Sequence, residues 1–302
     1  MRVTNNMIFD QKIYDINRSL ERLFKIHRQL SSGKKIFRPS DNPPIFFRIL
    51  KIKSKLGEIK QFIENGENLI QKLNFTDAKL NNISNLLIEI KSLAISSASS
   101  ALSNEERKEI AFKINEIIKE ILNEANSNFT GKYIFSGTKT LTKPFVATYE
   151  KGKIIEVKYN GDENIKYIEV GEDNKIAANL AGSYIFDVSF GVSNFFQRLI
   201  SLREAIESSR ILSISTLLNG ISKNIDIIRA SQAEIGVIEE RARLAVEKLK
   251  DIEINFSDDL SNLEDTDFAE AAINLAKSEI VYKEALLLAY KMLRMNLEEF
   301  LK

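Results

Sequence analysis

Apolar residues recur in alternating steps of three and four at both ends of this chain, and a period near two takes over in between. Near the start, Phe9, Ile13, Ile16, Leu20, Leu23, His27 and Leu30 form an unbroken a/d seam with no Gly or Pro. That spacing predicts a helix lying along a second helix. Residues 268–301 predict another breaker-free helix, apolar almost all round, with Phe268, Leu275, Tyr282, Leu286, Leu287, Leu293 and Leu297 as its candidate contacts. The partner positions on the first helix are Phe9, Ile13, Ile16, Leu20, Leu23 and Leu30.

Between these ends the pattern predicts a helical core. Three of the four prolines, with turn formers, stop the first helix within residues 33–44. A second seam follows at Ile49, Ile52, Leu56, Ile59, Ile63, Gly66, Ile70 and Leu73, and continues to about Ala98. Ser103-Asn104-Glu105-Glu106 reads as a capping box that opens a helix with Ile110, Ile114, Ile117 and Ile121 on one face. From Gly131 the period shortens, and residues 145–186 carry β-branched and aromatic clusters separated by Lys151-Gly152, Asn160-Gly161-Asp162 and Gly171-Glu172-Asp173-Asn174. Helix returns near Ser193, and a longer one runs from about Ile211 past Leu249.

The fold class expected is mainly α with a small β-rich insert. The terminal helices pair as a coiled coil, long helices form a bundle core, and the insert lies at the far pole. Three domains follow: 1–40 with 265–302; 41–138 with 191–264; and an inserted 139–190 that the helical stripes should not need in order to pair.

Charge supports the pairing of the ends. Residues 1–38 hold nine basic against three acidic residues, a net +6, and residues 264–302 hold five against eight, a net −3. The whole chain is +1, which gives no electrostatic case for nucleic acid. Cys is absent and His27 is the one histidine, so thiolate chemistry and a His/Cys transition-metal site are excluded. No Gly-rich loop leads into a helix to hold a phosphate. Neither an enzyme nor a cofactor is expected, and no metal or membrane span is either. Residues 1–10 have no apolar leader core, so no cleaved signal peptide is expected.

Leu30-Ser31-Ser32-Gly33-Lys34-Lys35 followed by Arg38-Pro39-Ser40-Asp41-Asn42-Pro43 resembles the signature after the first helix of the bacterial flagellin family. The opening Met1-Arg2-Val3-Thr4-Asn5-Asn6-Met7, the core segment Arg229–Gly236 and Leu263-Glu264-Asp265-Thr266-Asp267-Phe268-Ala269-Glu270-Ala271 are similar to the same family, so the resemblance covers nearly the whole chain. Residues 129–140, Lys143-Pro144-Phe145, Tyr159-Asn160-Gly161-Asp162, Gly182-Ser183-Tyr184-Ile185-Phe186 and the final Met295–Lys302 look more like its hook–filament junction branch than like flagellin. The bulky Ile45-Phe46-Phe47 departs from the small residues of many relatives.

The resemblance implies a structural protein, exported unfolded and placed outside the cell at the hook–filament junction. Its partners would be hook-associated protein 1, flagellin, further copies of itself in a ring, and an export chaperone on the C-terminal segment. A short flagellin and a cytoplasmic coiled-coil scaffold stay open as alternatives.

Overall fold

A computed structural model describes residues 5–99 and 102–300. They form two compact units, residues up to 58 with those from 252 onward, and residues 59–251. Seven helices and eight short strands occur among the described residues.

The first unit contains helix α1 (Asn5–Ser32), the start of helix α2 (Pro43–Ser97), the end of helix α6 (Ile211–Glu264) and helix α7 (Phe268–Phe300). Helices α1 and α7 pack along each other, as the opposed charges of the two ends suggest.

The second unit is built on the middle of α2 and α6. The seam α2 buries runs Ile59, Ile63, Gly66, Leu69, Leu73, Thr76, Leu80, Ile83, Leu87, Ile90, Ala94 and Ser97, with Ser84 buried beside it. Steps of three and four alternate throughout, except for the successive threes 63–66–69. The sequence pattern points to Ile70 at that place; the structure buries Leu69 and leaves Ile70 half-covered. Gly66 sits at this point because α6 passes close to it. A Cβ there would lie 2.4 Å from Val246 Cγ2. The two helices run antiparallel, tied by Lys250 to Glu67 (2.6 Å), Gln232 to Asp77 (3.2 Å) and Lys91 to Ser222 (3.0 Å).

Helix α3 (Asn104–Ala125) starts at the expected capping box. The Ser103 amide donates to Glu106 (2.7 Å), and the Glu106 amide donates back to Ser103 Oγ (3.3 Å). After the hairpin of β1 (Asn128–Phe129) and β2 (Lys132–Tyr133) comes a four-stranded antiparallel sheet. It contains β3 (Phe145–Glu150), β4 (Lys153–Tyr159), β7 (Val188–Ser189) and β8 (Val192–Ser193), in the order β3-β4-β8-β7. The β3–β4 turn is Lys151-Gly152, with φ +48° and +81°. That is the primed geometry a two-residue hairpin needs, and glycine adopts it without strain. Strands β5 (Tyr167–Glu169) and β6 (Lys175–Ala177) form a separate hairpin, followed by the short helix α4 (Gly182–Ile185) and by α5 (Asn194–Glu207).

One apolar cluster joins strands and helices in this unit. Phe186 lies 4.7 Å from Phe145, 5.1 Å from Phe195 and 5.4 Å from Phe135, ring centre to ring centre. Cutting out 139–190 would therefore uncover Phe195 and Phe196 on α5. The expectation that the insert can be removed without loss does not follow from this geometry, because the hydrophobic pattern along each helix cannot show that strands supply the other side of its core.

Arg203 is a buried polar joint between α3, β4 and α5. It donates to the Ile154 carbonyl (2.7 Å) and to Asn115 Oδ1 (3.0 Å), while the Ile154 amide also donates to Asn115 (3.4 Å). Replacing it by Met leaves two buried acceptors short of a donor. Arg203→Met should lower stability by roughly 3 kcal/mol in urea unfolding, and Arg203→Lys should recover part of it, because both bonds leave from the single nitrogen Nη1 and an ammonium carries enough donors to replace it.

Candidate assembly interface

The terminal pair carries the predicted contact residues. On α1, Ile16, Leu20, Leu23 and Leu30 are half-buried as expected, and Ile26 joins them. His27, expected on the seam, faces solvent instead, and Ile13 is exposed at a point where α1 has little cover.

Helix α7 buries Ala271 and half-buries Leu275, Ser278, Tyr282, Ala285, Ala289 and Met292, an unbroken alternation of four and three. Leu275 and Tyr282 are thus placed as predicted. Leu286, Leu287 and Phe268 are exposed. Successive helical residues point about 100° apart, so three adjacent leucines cannot share one partner, and the seam passes through the alanines on either side. Phe9, Leu293 and Leu297 lie on these helices, but their side chains fall outside the described residues.

The exposed side of α7 is itself ordered. Ile273, Ile280 and Leu287 are spaced by seven, with Val281 and Leu288 beside them. This second apolar stripe is exposed among the described residues. The sequence signal was present as overall hydrophobicity, but only the position of α1 shows which residues remain outside.

Two of the quoted segments meet at the base of this pair. Gly33 takes φ +71°, and the backbone beyond α1 runs antiparallel to residues 264–266. The Lys35 amide donates to the Glu264 carbonyl (2.7 Å), and the Thr266 amide donates to the Gly33 carbonyl (2.8 Å). The Glu264 carboxylate, only 6% exposed, accepts from Lys34 Nζ (2.8 Å) and Lys53 Nζ (2.7 Å). Asp267 caps α7, accepting from the amides of Ala269 (2.9 Å) and Glu270 (3.1 Å). Asp41 closes the proline-rich turn, accepting from the Arg38 amide (2.9 Å) and the Phe37 amide (3.1 Å).

Burial by itself would raise the Glu264 carboxyl, but the bonds from Lys34 and Lys53 outweigh it and hold the group below the ordinary carboxylate range. A carboxyl depressed on folding contributes stability above its unfolded value of about 4.5 and loses it as pH falls through the folded value. Thermal unfolding of the wild type should therefore soften below about pH 4.5, and Glu264→Gln should reduce that loss while lowering stability at pH 7.

In the second unit the other quoted segments also converge. Asp162 accepts from the Thr138 amide (2.8 Å) and hydroxyl (2.6 Å), and Tyr159 donates to the Phe135 carbonyl (3.0 Å) and the Asp162 carbonyl (2.9 Å). A Cβ on Gly137 would lie 2.1 Å from Asp162 Oδ1, and one on Gly182 would lie 2.1 Å from the Phe135 carbonyl. The glycines are there for close approach. Among the described residues no group of His, Cys, Asp and Glu is placed to hold a metal, and no helix is long and apolar enough to cross a membrane.

A family model described as the bacterial flagellin N-terminal helical region matches residues 3–140, and one described as the bacterial flagellin C-terminal helical region matches residues 218–301. The chain belongs to the bacterial flagellin family. Both matched regions reach the helices that form the α1–α7 pair. Flagellar hook-associated protein 3 of Escherichia coli K12 is 27% identical over 188 residues, which is 62% of this chain and 57% of that protein. Its Salmonella typhimurium counterpart is 25% identical over 146 residues, 48% of this chain and 46% of that protein. The chain thus matches about half the length of these hook-associated relatives. The flagellar filament 30.7 kDa core protein of Treponema maltophilum is 23% identical over 255 residues, 84% of this chain and 82% of that protein. Among solved structures, Xanthomonas campestris FlgL superposes with a TM-score of 0.61 at 18% identity, covering 70% of this chain and 99% of that one. Flagellar hook associated protein-3 of Legionella pneumophila gives 0.61 at 18%, covering 71% and 98%. These two share the fold.

Proposed function

We propose that this chain is a structural part of the bacterial flagellum, forming the hook–filament junction ring that couples hook-associated protein 1 to flagellin. The observation that carries the reading is the uncovered stripe Ile273–Ile280–Leu287 on a terminal helix whose other face is already taken by α1. A helix apolar on two sides is stable when more than one neighbour covers it, so adjacent subunits are the natural cover. The hook-associated names of the E. coli and Salmonella relatives support the junction over other flagellar positions.

The same stripe has to be shielded before assembly, which calls for a chaperone on the C-terminal segment during export, and the hook-associated names of the relatives support a place outside the cell. No catalysis enters this role. Family membership removes the cytoplasmic scaffold reading. A filament subunit remains the second reading, favoured by the Treponema filament protein, which matches more of this chain than the hook-associated relatives do.

Electron microscopy of a deletion strain separates the two readings. Hooks that end without filaments while flagellin accumulates in the medium support the junction role. Filaments that purified protein builds by itself would support the filament reading and overturn the junction role.

A further inference from the structure

An open cleft of about 620 Å³ lies in the second unit, between α6 and the α4–β7 segment. Val188, Ile227 and Ala230 give it an apolar floor, and Tyr184 stands exposed at its edge. Its rim is acidic: Glu163, Asp187 and Asp226 face a single Lys223. Asp187 is bonded to Arg198. Glu163 and Asp226 make no ion pair among the described residues, and Lys223 is the one basic residue that lines the cleft with them.

The same unit carries a complementary knob. The Thr142 amide donates to the Lys139 carbonyl (2.9 Å), closing a turn that leaves Leu141 82% exposed. The turn is held firmly. The Thr140 carbonyl accepts from the Tyr133 amide (2.8 Å), Thr138 is tied to Asp162, and Pro144 behind it is buried. Lys139 and Lys143 flank the leucine, and neither makes a salt bridge among the described residues. An apolar tip between Lys143 and Lys139, the latter near Asp162, suits an apolar floor beside the carboxylates of Glu163 and Asp226, and a fixed loop loses little freedom on docking.

We propose that residues 139–143 of one copy dock into the Tyr184–Ala230 cleft of the next copy, with Leu141 on the apolar floor and Lys139 and Lys143 facing Glu163 and Asp226. This rests on the reading that copies of the chain assemble side by side in a ring. The knob and the cleft are different patches of one unit that lie near each other: Thr138, at the foot of the knob, bonds to Asp162, next to Glu163 of the cleft. A tip seated in a cleft joins two different patches, and repeated in one direction from copy to copy it makes the head-to-tail contact a ring needs.

The natural chain has no Cys, so any disulfide reports an introduced pair. Full-length Leu141→Cys/Ala230→Cys protein, oxidised in isolated hook–filament preparations, should give a ladder of multimers on a non-reducing gel, while each single variant stays monomeric. Asp226→Lys should cut the ladder by roughly tenfold in the double-Cys background, and adding Lys143→Asp should restore it. Protein present at hook ends without a ladder, a fast-migrating intrachain bridge, or dimers from Leu141→Cys alone would each overturn the docking while leaving the ring reading in place. Protein absent from hook ends brings down both. A combined charge swap no better than Asp226→Lys alone overturns the assigned pairing.

Discussion

Truncation after Glu264 leaves a chain whose second unit folds and which supports no filament. The removed residues include all of α7, hence both the seam that covers α1 and the outer stripe of Ile273, Ile280 and Leu287. The 28-residue α1 would be left without its partner. Amphipathic helices owe most of their stability to packing, so α1 should fray as well. Circular dichroism of the truncated protein should therefore lose more helical signal than the missing residues account for, while unfolding of residues 59–251 stays cooperative. In the full-length monomer, amide exchange should be fast on α7 and slow on the middle of α2, and assembly should slow it on α7. The strain should make hooks and release flagellin unassembled. Normal filaments on truncated junctions would show that the terminal pair is not the assembly surface.

The second large effect is expected at Phe186. Its ring is fully buried and touches Phe135, Phe145, Phe195 and Phe196, so it joins the inserted strands to α5. Phe186→Ala should cost about 4 kcal/mol, the sum of lost transfer energy and the cavity left behind. Phe186→Leu should cost about 1–2 kcal/mol, since much of the volume is kept. Against a net stability of about 5–15 kcal/mol for a typical domain, the first loss removes a large share. Urea unfolding followed by near-ultraviolet signal should show a lower midpoint for the alanine variant. An unchanged midpoint would mean that the cluster is not a shared core, and the insert would then be separable after all.

Much of the architecture was legible because it is encoded locally. The Ser103 capping box, the Lys151-Gly152 turn and the stop of α1 at Gly33 are set by groups within four residues of each other, and the structure contains all three. Helix lengths were less legible. Residues 211–264 continue as one helix because nothing in them breaks it, and sequence cannot mark an end that does not exist.

The terminal contacts were half legible. Leu275 and Tyr282 follow from the repeat, whereas the exposure of Leu286, Leu287 and His27 depends on where a partner lies around the helix. Side chains that a hydrophobicity pattern cannot distinguish are separated by rotations of about 100°, and only the packed neighbour selects among them. The knob at Leu141 and the acidic cleft were invisible for a related reason. Glu163, Tyr184 and Asp226 are far apart in the chain, and their shared environment exists only once α4 lies beside α6.

By itself the sequence determined the helix and hairpin inventory, the amphipathic faces, the absence of thiol chemistry and the family, since these depend on residue identity and on spacing over a few turns. The tertiary structure decided that Glu264 receives both Lys34 and Lys53, that one aromatic core binds strands to helices, and that α7 keeps a second apolar face uncovered. Each of these depends on groups far apart along the chain, which meet at hydrogen-bonding or van der Waals distance only after folding.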